Sequence, residues 1–152
     1  MAIWLAGIIG GLIAGGVMIG GIMTLAPFRG FGSVLTPPQL VAGTLRGETA
    51  VNGGPASAAL GLALHLLIAA VIGFAFAVMM AGLGLTNFKP DVRFAMVPGS
   101  GVVYGICAFG VSEYAVLPFV DRPMFKHLPP LDWALMHVLY GAVLGWFVAL
   151  MA

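Results

Sequence analysis

Charge is what this chain of 152 residues has least of. Lys, Arg, Asp and Glu together make up 7% of it, where a soluble domain carries roughly a quarter. Hydrophobic residues reach 61% and the mean hydropathy is +1.11, so water cannot be the solvent for most of the surface. The formal charge of +1 comes without a basic cluster, which removes nucleic acid as a partner. A single cysteine, Cys107, excludes an internal disulfide framework. Set in an apolar run, it reads as an inert core thiol. Catalytic signatures are missing as well: there is no Ser/His/Asp or Cys/His arrangement, no phosphate loop joined to a lysine and no CxxC pair. The expectation is a protein that is not an enzyme, with no catalytic residue. A charged leader is also lacking, so the first apolar run reads as a retained span.

Long apolar runs are what the chain has in abundance. At about 1.5 Å per residue, four of them can cross a roughly 30 Å hydrocarbon core: residues 2–28, 57–85, 94–118 and 131–152. They form one transmembrane domain over 1–152, with a long first connection, 29–56. In that connection Thr36, Pro37 and Pro38 start a short helix through Arg46, read as lying at the membrane interface and acting as a contact surface or a cover. Trp133, near the start of the fourth run, suits the headgroup region. Connections one and three carry Arg29, Arg46, Arg122 and Lys126 against Lys89 and Arg93 on the other side. The positive-inside rule puts the former in the cytoplasm and both termini outside.

The chain also repeats itself. Residues 65–80 lie over 137–152 without a gap, so that His65 falls on His137, Gly73 on Gly145, Ala77 on Ala149 and Met79 on Met151. Gly16 and Gly20 match Gly101 and Gly105, extending the duplication over a helical hairpin. The fold expected is all-α: an integral membrane four-helix bundle made of two tandem, parallel-related hairpins. Glycines at helical spacing, Gly7, Gly11 and Gly15 among them, let partner backbones come close, since packing contact holds helices together in lipid. Gly61, His65, Ala69, Gly73 and Ala77 form a second stripe that faces protein.

Ionisable groups inside a span are costly and are read as functional or paired. His65 and His137 stand at one depth, with Glu113, Tyr114 and Tyr104 as the candidate polar cluster on the third span. Three arrangements are open. Each imidazole can bond across the bundle and lock its register. The two can ligate a haem b between the second and fourth helices, with Gly73, Gly141 and Gly145 leaving room for the ring. With Glu113 they can form a metal or proton site. His127 reads as a solvated or headgroup-facing residue.

With histidines on its second and fourth helices and glycines on its first and third, the layout is similar to the haem-carrying four-helix core of the cytochrome b family. That family places two histidines on each of those helices, where this chain has one. His137, Tyr140, Gly141 and Gly145 form a His-x-x-Tyr-Gly-x-x-x-Gly run. In this the chain resembles small bacterial inner-membrane proteins of four glycine-rich helices, which implies a multi-pass inner-membrane location and no activity.

The function expected is an integral accessory or structural subunit packed against larger membrane partners, in a respiratory or photosynthetic electron-transfer complex. A b-type haem carrier using His65 and His137, and a small transporter or proton-conducting protein, are the alternatives. Partners expected are membrane lipids and other membrane subunits or a homo-oligomer.

Overall fold

A computed structural model describes all 152 residues. The chain is helical almost throughout, without strands. Helix α1 runs over Ile3–Leu25 and passes into a 3-10 turn at Ala26–Arg29, closed by Gly30 in the left-handed region at φ 80°. Helix α2 covers Thr36–Arg46 and α3 covers Gly54–Gly82. Helix α4, Pro90–Val111, continues through a π turn at Ser112–Val116 into α5, Leu117–Val120. The short α6, Arg122–His127, precedes α7, Pro130–Met151. Four helices are long and apolar enough to cross a membrane: α1 with its 3-10 turn, α3, α4 with α5, and α7. This is the pattern of a multi-pass membrane protein.

Two of these helices begin earlier than the apolar runs suggest. Pro55 and Pro90 belong to the first turns of α3 and α4 rather than to loops. A proline there loses no hydrogen bond and arrives with a helical φ. Near the far end of α4 another proline acts differently. Pro118 has no N–H to donate and its ring pushes against the carbonyl four residues back, and the wide π turn lies immediately before it.

Packing follows the glycines. Helix α1 lies antiparallel against α3, α4 lies antiparallel against α7, and α1 also packs on α7; α3 and α4 barely touch. A Cβ on Gly7 would run into the carbonyl oxygen of Gly73, and one on Gly11 into that of Ala69. In the other pair, a Cβ on Gly101 would strike the carbonyl oxygen of Gly141, and one on Gly105 that of His137. Backbone meets backbone at both seams, which is how helices gain contact energy where lipid is as apolar as the side chains. Gly16 and Gly20 do not share the role of Gly101 and Gly105, although the sequence sets them side by side. Nothing lies within 4 Å of where their side chains would be.

The long first connection is a packed cap over one end of the bundle, the cover among the two roles the sequence left open. Residues Pro37 through Gly43 of α2 are all buried. The crossing with α3 is possible because Gly61 has no side chain: a Cβ there would sit on the carbonyl oxygen of Pro38. Gln39 ties α2 to the start of α3 through a 3.1 Å bond to the Gly54 carbonyl. Helix α6 closes over the same end. Asp121 caps it by accepting from the Met124 N–H at 3.0 Å, and its other oxygen accepts from the Thr44 hydroxyl of α2 at 2.8 Å. Gly43 must be small here, since a Cβ would stand 2.7 Å from the Asp121 Oδ1. Two ion pairs join the same end: Arg29 with Asp132 at 3.1 Å and Lys126 with Glu48 at 3.3 Å.

Candidate functional site

Because α3 and α4 barely touch, a gap remains between them in the half of the bundle nearest the cap. It is a cavity of about 500 Å³. Its walls come from His65, Ile68, Ala69 and Ile72 of α3, from α4 and α5, and from Trp133, His137 and Tyr140 of α7. Thr44 of α2, Asp121 and Met124 line it from the cap. Exposed Ile68, Cys107 and Val111 belong to the lining and mark its mouth, which opens sideways between α3 and α4. Cys107 is therefore no core thiol. It falls on the side of α4 that has no neighbouring helix.

The π turn shapes one wall. The lining residues come in adjacent pairs: Cys107 with Ala108 is followed after four residues by Val111 with Ser112, and Val116 with Leu117 comes next after five. The extra residue keeps the lining face turned inward past the point where a regular helix would rotate it away. Such turns recur where a helix serves a site.

Two tyrosines span the gap. Tyr140 donates to the Ala69 carbonyl at 2.7 Å, and Tyr104 donates to the Ile72 carbonyl at 3.0 Å. Tyr104 also packs its ring on Phe76 with centroids 5.1 Å apart. These are the direct polar ties from α4 and α7 to α3.

Both histidines are buried and line this one cavity, but they are bonded differently. His65 gives its Nε2 side to the Gly15 carbonyl of α1 at 3.1 Å. His137 gives Nδ1 to the Trp133 carbonyl one turn back on α7, at 3.0 Å. A carbonyl can only accept, so these nitrogens carry the proton of a neutral ring, and His65 Nδ1 and His137 Nε2 are left with bare lone pairs. Trp133, expected among lipid headgroups, is only 6% exposed. Its indole lies edge-on to the His137 ring, centroids 4.4 Å apart, and its N–H is buried without a hydrogen-bond partner. The sequence carried a signal for it: Trp133 stands four residues before His137, on the same face of a helix.

Comparison of the chain with protein-family models, curated proteins and solved structures finds no match. The likenesses of layout seen in the sequence rest on those residues alone.

Glu113, Tyr114 and Tyr104 are not brought together as a polar cluster. Glu113 is buried in the π turn but does not line the cavity. Tyr114 is 73% exposed, its ring against Phe109. Tyr104 reaches across to α3. No group of three His, Cys, Asp or Glu is placed to hold a metal ion, so His65, His137 and Glu113 do not converge as a metal site. Haem ligation by both imidazoles does not fit either. His65 has spent Nε2, the nitrogen that can reach a macrocycle without its own backbone intervening. The space beside Gly73, Gly141 and Gly145 is taken up by the backbones of α1 and α4. His127 is exposed at the end of α6, as expected.

Outside the membrane-spanning segments, burial pushes the Asp121 carboxyl above its ordinary range. The bonds from Met124 and Thr44 pull the other way and are the smaller effect. The pairing of α2 with α6 over the cavity thus turns on a carboxyl that is costly to charge.

Proposed function

We propose that the chain is a multi-pass membrane protein that holds a lipid-soluble small molecule between α3 and α4, without acting on it chemically. The observation that carries this reading is the cavity: about 500 Å³, apolar along most of its wall and polar where Trp133, His137, His65 and the tyrosines meet. Concave, mostly apolar sites with a few convergent polar groups are where small ligands bind. A mouth between two transmembrane helices suits a ligand that arrives from the bilayer. Helical spans, as opposed to a closed barrel, favour a bacterial inner membrane over an outer one.

The reading includes two tandem hairpins as the frame. In support, Gly11 and Gly15 meet the Ala69–Gly73 part of α3 as Gly101 and Gly105 meet the His137–Gly145 part of α7. The first helices are then related by a shift of ninety residues and the second helices by seventy-two. The eighteen residues of difference lie in the first connection, as the segment that builds α2 and the cap.

A second reading, an integral accessory subunit, is favoured by Gly16 and Gly20. Their face of α1 is open, and a Gly-x-x-x-Gly stripe admits a close helix from another chain.

The test of the ligand reading is extraction. Protein purified in mild detergent is washed and extracted with organic solvent, and the small molecules are identified by mass spectrometry. A compound enriched well beyond its share of the membrane lipids supports the reading; an extract with the bulk lipid composition overturns it. For the subunit reading, the same sample should bring down a larger membrane protein that is lost from Gly16→Leu and Gly20→Leu. The identity of that protein decides whether an electron-transfer complex is involved.

A further inference from the structure

We infer that the molecule held in the cavity has an uncharged head bearing a hydroxyl group, which donates to His137. This inference rests on the ligand reading above and adds the chemistry of the head.

Three observations support it. His137 lines the cavity and has turned Nδ1 to its own helix, which leaves Nε2 as an acceptor on the opposite edge of the ring. It calls for a ligand O–H. His65 lines the same cavity with its Nε2 given to the Gly15 carbonyl, so its Nδ1 is a second acceptor in the wall. Finally, no Lys or Arg lines the cavity, and Asp121 does. A carboxylate or phosphate head would enter a dry site with no cation and with an acidic group already in the wall, which the cost of desolvating a charge forbids.

The same chemistry comes from two sources in a bilayer: an aliphatic alcohol with a long or isoprenoid chain, and a phenol such as a quinol. Either has an apolar body that can leave through the mouth at Ile68 and Val111. Both would leave His65 Nδ1 and the tyrosine oxygens as further acceptors along the wall.

The experiment uses Trp133 as its own reporter. Trp4 and Trp146 are about half exposed on the outside of the bundle, so Trp4→Phe with Trp146→Phe leaves one indole, inside the site. The purified protein is titrated with farnesol, with farnesyl methyl ether, with a short-tailed quinol kept reduced, with the bis-methyl ether of that quinol, and with palmitoleate. Trp133 lines the cavity, so filling the cavity changes the surroundings of this indole and with them its emission. The expected result is a saturable change in emission for farnesol, the quinol or both, with the matching ether bound about tenfold more weakly. Farnesol alone or the quinol alone then names the source. Equal affinity for alcohol and ether overturns the hydroxyl assignment while leaving the cavity as a binding site. Tightest binding of palmitoleate overturns the uncharged head. No saturable change with any of the five overturns the ligand reading itself. His137→Leu, offered the same pairs, should lose the preference for alcohol over ether. Because the decisive comparison is between ligands on one folded protein, it stands even if that variant is unstable.

Discussion

The hydroxyl of Tyr140 on α7 lies 2.7 Å from the carbonyl oxygen of Ala69 on α3, two helices that otherwise make little direct contact. The carbonyl belongs to the same small residue against which Gly11 and Gly15 of α1 are packed. One residue of α3 therefore receives α1 on one side and the tyrosine of α7 on another. Tyr140→Phe removes the bond and keeps the ring. Interhelical hydrogen bonds in bilayers are worth on the order of 1 kcal/mol, so the variant should lose about that much stability in a detergent-unfolding titration. No loss would mean that the tie does not hold α3 in place.

The glycines separate into two kinds with opposite expectations. Gly101→Ala forces a methyl group into the Gly141 backbone, where neither helix can yield without moving the other. Overpacking of this sort costs about 1–3 kcal/mol. Gly16→Ala and Gly20→Ala meet open space and should leave the isolated bundle as stable as before. Midpoints of unfolding for the three variants, measured side by side in one detergent, check the contrast. A Gly20→Ala protein as weakened as Gly101→Ala would contradict the seam described here.

The two ion pairs at the capped end should also behave unequally. Lys126 and Glu48 are both mostly exposed, and such pairs are worth little, so Lys126→Ala should change stability by no more than about 0.5 kcal/mol. Arg29 is half exposed, but its partner Asp132 is buried. Arg29→Ala strands a carboxylate, at a cost of about 1–3 kcal/mol. Arg29→Ala combined with Asp132→Asn should recover most of that loss.

Asp121 makes the cap sensitive to pH. Burial lifts its carboxyl above the ordinary value of 3.8, so the folded protein holds this proton more tightly than the unfolded chain does. The stability that the proton confers is complete below the unfolded value and is lost as pH rises through the higher folded value. Asp121→Asn keeps an oxygen for the Met124 N–H and never ionises. From about pH 4 to pH 7, the wild type should lose melting temperature relative to this variant. A difference that stays constant across the range would show that Asp121 does not titrate with folding.

The spans, the inward stripe from Gly61 to Ala77 and the burial of both histidines were legible because they are local patterns. A long apolar run or a period of four residues declares itself in one stretch of chain. What required a second stretch was not legible. The glycine ladder of α1 repeats every four or five residues, so matching letters alone could not choose between Gly11 with Gly15 and Gly16 with Gly20 as counterparts of Gly101 and Gly105. Only the partner helix distinguishes them. The Thr-Pro-Pro-Gln start of α2 looks polar enough for a membrane surface, and its burial depends on the missing side chain of Gly61 more than twenty residues away. Trp133 has the position of a headgroup aromatic, and it turns inward because the cap covers that end of α7. Cys107 sits in an apolar run whose outer side has no helix against it.

The most direct test of a ligand held between α3 and α4 is native mass spectrometry of the intact protein released from mild detergent. The wild type should carry one small-molecule adduct at near-unit stoichiometry, and Ala108→Trp, which fills the cavity from α4, should carry none while remaining folded. A wild type that flies bare, or an adduct that persists unchanged when the cavity is filled, would contradict it.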